Sequence, residues 1–225
     1  MKENQINLDV KSDTELLRVK DHLQTPPKIG IFGGTFNPIH LGHLRLAEDV
    51  REEFLLDKVI FVPANIPPHK KLNGNVTAAD RMKMIEMSIS GNSYFEVNDI
   101  EIRKGGVSYT IDTAKYLYEN YDFFKKPYFI LGSDQAISIK TWKKIDELSK
   151  LFCFVVLIRK EERARIPEVK NLMKNLNIES FFFTGREIDI NSSEIRKRLR
   201  EGKSIRYLVK DEVLNYILEN RLYIV

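Results

Sequence analysis

Two histidines three residues apart, just after a pair of glycines, are the residues here best suited to chemistry. They lie in Gly30-Ile31-Phe32-Gly33-Gly34-Thr35-Phe36-Asn37-Pro38-Ile39-His40-Leu41-Gly42-His43. An apolar run enters this segment and a helical pattern leaves it, and such junctions hold phosphates in open α/β sheets. Adjacent glycines remove the Cβ atoms that would keep a ligand from the backbone. At a helix start, His40 and His43 can face one phosphate and donate to oxygens whose charge grows in a transition state. A metal pair is a weaker reading, because no Cys, Asp or Glu lies in the stretch to complete a zinc set. Surface imidazoles without a role are the plain alternative. The segment has neither a Gly-Lys-Ser/Thr phosphate loop nor Gly-x-Gly-x-x-Gly, so a hydride-transfer cofactor is disfavoured.

A second segment, Ile190-Asn191-Ser192-Ser193-Glu194-Ile195-Arg196, sets small hydroxyl residues ahead of a basic helix. Its free N–H groups, the serines and Arg196 would form an anion site if that helix pointed at the first segment. Taken alone, it reads as an ordinary helix capped by Ser193. Residues 191–210 carry seven cations against two anions, while the whole chain has a formal charge of only +4. That balance is too mild to indicate a nucleic-acid binder.

The elements that must position these residues follow from length and pattern. The 225 residues suit one large domain or two small ones. A hydrophobic fraction of 43% and a charged fraction of 30% exclude disorder as the main state. No apolar run approaches the ~18 residues of a membrane span, and the N-terminus has no apolar leader region, so a cytoplasmic protein is expected. The single cysteine, Cys153, lies in the run LFCFVVLI and reads as a buried, inert thiol. Strands are expected at Lys28–Phe32, Lys58–Val62, Tyr94–Val97, Pro127–Leu131, Phe152–Ile158 and Ser180–Phe183. Their apolar runs are continuous, as in strands covered on both faces. Helices are expected at Leu41–Leu55, Ala78–Ser90, Thr110–Asn120, Pro167–Leu176, Glu194–Glu201 and Asp211–Asn220, with a capping signal at Thr77–Asp80 and a stop at Gly202. The pattern is α/β: a doubly wound, Rossmann-like parallel sheet with helices on both faces over residues 28–225. Residues 1–27 form a separate extension, with a short helix expected after Ser12 and ending by Thr25-Pro26-Pro27.

The first motif resembles the signature of the nucleotidyltransferase superfamily with a His-x-Gly-His motif, and the second resembles that superfamily's Ile-Ser-Ser-Thr-x-Ile-Arg segment. Further matches at Val62–Lys70, Ser108–Thr110, Gly132–Asp134, Thr141–Trp142 and Tyr207–Val209 resemble the bacterial nicotinate-nucleotide adenylyltransferases over about residues 28–223. Asn37 stands where many relatives have Asp, and Asn191 where the pattern has Ser. The resemblance implies transfer of AMP from ATP to nicotinate mononucleotide, giving nicotinate adenine dinucleotide and pyrophosphate. ATP and the mononucleotide would be the partners, with Mg²⁺ carried by the triphosphate and no protein metal cage. Neither nucleic acid nor membrane is implied, and a homo-oligomer is left open. His40, His43 and Arg196 would be catalytic. Gly33, Gly34, Thr35, Phe36, Gly132, Asp134, Ser193 and Ile195 would bind ATP. Asn65, Lys70, Tyr109, Thr110, Trp142 and Arg159 would bind the pyridine nucleotide, Trp142 by stacking unless it is a core aromatic. The N–H groups preceding the Thr110 helix would receive the nicotinate carboxylate. A sibling enzyme with another acceptor and a non-catalytic nucleotide sensor are the competing readings.

Overall fold

The computed structural model describes residues 26–68, 75–158, 160–185 and 188–224. The helix expected in the N-terminal extension, His69 with Lys70, and Arg159 lie outside the described residues.

All six expected strands form: β1 Ile29–Gly34, β2 Lys58–Pro63, β3 Phe95–Val97, β4 Tyr128–Gly132, β5 Cys153–Leu157 and β6 Ser180–Phe183. They make one sheet in the order β3-β2-β1-β4-β5-β6, every pair parallel. Strand order therefore reverses between β1 and β4, the place where doubly wound sheets open a crevice at their carboxyl ends.

The inner strands β1, β2, β4 and β5 are apolar along most of their length because both faces are covered. On one face Phe32, Phe61, Ile130 and Val155 pack with helices α1 (Leu41–Glu53), α2 (Ala78–Ile89), α8 (Ser192–Arg200) and α9 (Asp211–Glu219). On the other, their neighbours Ile31, Ile60, Leu131 and Val156 pack with α4 (Thr110–Asn120), α6 (Ile145–Leu151) and α7 (Ile166–Asn175). The two-residue alternation of a strand sends successive side chains to opposite cores. Two shorter helices, α3 (Ile100–Lys104) and α5 (Ser133–Ile137), are additions to the expected set, as is α6. Among the described residues no helix is long and apolar enough to cross a membrane.

Local signals act largely as the sequence indicates. Thr77 and Asp80 form a reciprocal capping box on α2, with the Asp80 N–H donating to Thr77 Oγ1 at 3.1 Å. Gly202 has φ +64° and ends α8, as a left-handed glycine after a helix does. Ser193 is not the cap of α8. Asn191 holds that place, its Oδ1 accepting from the Glu194 N–H at 2.8 Å, and the helix begins one residue earlier than Ser193. Asn is as good a cap as Ser, so the departure at 191 preserves the helix start.

Candidate active site

The turn after β1 is built to be tight. A Cβ on Gly33 would come within 2.9 Å of the Phe129 ring, and one on Gly34 within 2.9 Å of the Phe36 ring. Either would force an aromatic out of place, so the two glycines serve core packing as well as approach to a ligand. Phe36 itself is buried, edge-on to Phe32 at 5.4 Å and to His43 at 5.2 Å. Phe36, one of the residues implied for ATP, thus turns its side chain into the core. The side chain of Ile195, also implied for ATP, is likewise fully buried in the core.

His40 and His43 flank the start of α1, their rings stacked with centroids 3.6 Å apart. The His40 backbone N–H donates to His43 Nδ1 at 3.2 Å, so neutral His43 carries its proton on Nε2. His40 is largely buried and His43 half-buried.

The second motif docks on the first across more than 150 residues of chain. Arg196 Nη1 donates to the Asn37 carbonyl at 2.7 Å, and Ser192 Oγ donates to the Pro38 carbonyl at 2.9 Å. The other arm of the Arg196 fork reaches Ser193 Oγ at 3.1 Å. Burial holds the Arg196 pKa below its ordinary value, yet a guanidinium stays charged in proteins. Asn37 is fixed twice, since its Oδ1 also accepts from the buried Tyr223 hydroxyl at 2.7 Å. Together the two histidines, Arg196, Ser193 and the start of α8 surround one strand-to-helix turn with hydrogen-bond donors.

On the other side of the Gly33–Thr35 turn lies a cavity of about 230 Å³. Of the residues implied for the pyridine nucleotide, Tyr109, Thr110 and Trp142 line it; of those implied for ATP, Gly33, Gly34, Thr35 and Asp134 do. Asp134 thus lines the same cavity as Trp142, and its buried Oδ1 has no donor among the described residues. Gly132 is buried at the end of β4, its N–H on Gln135 Oε1 at 3.2 Å. Trp142 is half-buried and edge-on to Phe129 at 5.8 Å, both wall and core contact. Asn65 does not line the cavity. Its amide donates to the Gly106 carbonyl at 2.9 Å, and its backbone N–H donates to Ser108 Oγ at 2.8 Å.

Three site residues escape the sequence reading. Arg81 on α2 is fully buried and donates to the Thr35 carbonyl at 2.8 Å and to the Asn65 carbonyl at 3.0 Å. It ties the Gly33–Thr35 turn to the loop after β2. Glu101 lines the cavity, and Thr113 Oγ1 donates to its Oε1 at 2.5 Å. Burial raises the Glu101 carboxyl although the Thr113 and Ser108 hydroxyls oppose the shift. Lys143 lines the cavity with its ammonium 4.3 Å from the Tyr109 ring centroid. Only the Arg-Met-Lys-Met-Ile pattern of α2, with an arginine on its apolar stripe, hints at the first of these.

Residues 31–198 match the cytidylyltransferase-like family. The chain is 38% identical to a "probable nicotinate-nucleotide adenylyltransferase" of Desulfatibacillum aliphaticivorans, a match spanning 88% of this chain and all of the relative. It is 41% identical to a protein of the same description from Caldicellulosiruptor saccharolyticus, over 87% of this chain and 98% of that one. Among solved structures, the fold is similar to Plasmodium falciparum nicotinic acid mononucleotide adenylyltransferase complexed with NaAD. The TM-score is 0.68 and the identity 23%, covering 87% of this chain and 97% of that one. At that identity the likeness concerns the fold alone.

Proposed function

The chain belongs to the cytidylyltransferase-like family, and from that premise we propose that it transfers the AMP moiety of ATP to nicotinate mononucleotide. It is a nicotinate-nucleotide adenylyltransferase. A phosphate oxygen of the mononucleotide attacks the α-phosphorus of ATP, the bond from that phosphorus to the β-phosphate bridging oxygen breaks, and pyrophosphate leaves. The attacking oxygen is already ionised near neutral pH, so no general base is required. The barrier falls through alignment of two polyanions and stabilisation of charge at the α-phosphorus and the leaving group.

The observation that carries this reading is the docking of Arg196 and Ser192 on the carbonyls of Asn37 and Pro38, which gathers donors from both motifs at one turn. In this role His40 and His43 bind the ATP phosphates, and Arg196 with Ser193 binds the β- and γ-phosphates. The pyridine ring occupies the cavity against Trp142, its carboxylate on the N–H groups of Tyr109 and Thr110. Asp134, with a buried oxygen lacking a donor among the described residues, is suited to a ribose hydroxyl. Among the described residues no group of three His, Cys, Asp or Glu side chains is placed to hold a metal ion. Mg²⁺ would arrive bound to the triphosphate, as part of the MgATP substrate. The test is pyrophosphate release by purified protein given MgATP and nicotinate mononucleotide, with the dinucleotide identified by mass. Release without that product, or none at all, contradicts the reading.

A further inference from the structure

The cavity wall contains three charged side chains among the described residues: Glu101, Asp134 and Lys143. Lys143 is the one cation of the three. It makes no ion pair within 4.0 Å among those residues, whereas the adjacent Lys144 is tied to Glu147 at 2.7 Å. Lys143 instead lies over the face of Tyr109, the residue just before α4, and its charge is felt by Asp112 in the first turn of that helix. Its ammonium thus lies against Tyr109 on a cavity wall that also carries Thr110 and Trp142.

We propose that Lys143 is a specificity-determining residue that favours an acceptor ring bearing a carboxylate over one bearing a neutral amide; this rests on the assignment of the cavity to the acceptor ring. A carboxylate there gains from a nearby cation and an amide gains little, since the first is a charge–charge interaction and the second only charge–dipole. The acceptor's phosphate is common to both rings and cancels from the comparison. Glu101 and Asp134 push the other way, and without Lys143 the described wall would carry only acidic groups. The lysine is exposed and partly screened, so it adjusts selectivity without being its whole source.

The test compares kcat/KM for nicotinate and nicotinamide mononucleotides at saturating MgATP in the parent, K143M and K143R. The acid-to-amide ratio is expected to fall about fivefold in K143M, the scale of one partly screened charge interaction, and to stay within about twofold of the parent in K143R. Raising ionic strength from about 0.05 to about 0.5 M should narrow the parent ratio more than the K143M ratio. A K143M ratio within twofold of the parent overturns the role of Lys143 and leaves the acceptor assignment standing. A parent without an acid preference overturns the assignment and the proposal with it.

Discussion

The His43 ring accepts a backbone hydrogen bond through Nδ1, which leaves Nε2–H as the donor it would offer a phosphate in the proposed role. His43→Ala is expected to lower kcat by about 10²–10³, the effect of losing one oriented donor at developing charge, with little change in the melting temperature. Steady-state kinetics of the folded variant check this, and activity within a few-fold of the parent contradicts it. Arg196→Lys should also be poor, because the guanidinium spans the Asn37 carbonyl and Ser193 Oγ and an ammonium cannot reproduce that fork. Arg81→Met should be costly for a different reason. It strands the carbonyls of Thr35 and Asn65, each worth about 1–3 kcal/mol when left without a donor, and urea melts will show the loss. The histidines and Arg196 were legible because their types and spacing are distinctive. Arg81 was not, because an arginine in an amphipathic helix reads as a solvated charge until the fold shows which way it points.

At the scale of elements, the strands were legible and the shortest helices were not. Runs such as VIFV and FVVLI announce strands covered on both faces, and each forms part of one. Helices α3, α5 and α6 have five to seven residues, about two turns at most, which is too short to display a 3.6-residue period. The start of α8 was misplaced because Asn191, Ser192 and Ser193 are all good caps, and only the hydrogen bond to Glu194 selects among them. Asn191→Ala should cost about 1 kcal/mol in chemical denaturation, while Asn191→Ser should be nearly neutral. On α2, burial works against ionisation of Asp80, but bonds from Thr77 and from the Tyr216 hydroxyl outweigh it and hold the carboxyl below its ordinary value. A lowered carboxylate contributes stability above its unfolded value and loses it as pH falls through the folded one. The stability gap between the parent and Asp80→Asn should therefore be constant near neutrality and close as pH drops below about 4. A gap that widens in acid would contradict this assignment.

Across the whole molecule, the reversal of strand order between β1 and β4 decides where the site can be, and Leu208 and Tyr223 hold the turn before α1 there. Leu41 N–H donates to the Leu208 carbonyl at 2.9 Å, and the Tyr223 hydroxyl closes on Asn37. No sequence pattern announces that a tyrosine two residues from the chain end supports a turn near residue 37. The docking of residues 190–196 on that turn was legible only as a condition, that the basic helix point at the first motif, and the topology meets it. In the proposed role this assembled site adenylylates a pyridine mononucleotide bearing a carboxylate, and the decisive measurement compares kcat/KM for nicotinate and nicotinamide mononucleotides at saturating MgATP. Donors matched to a carboxylate are left partly unpaired by an amide, so the acid should be preferred by on the order of 10²-fold or more. Equal values, or a preference for the amide, would contradict the account.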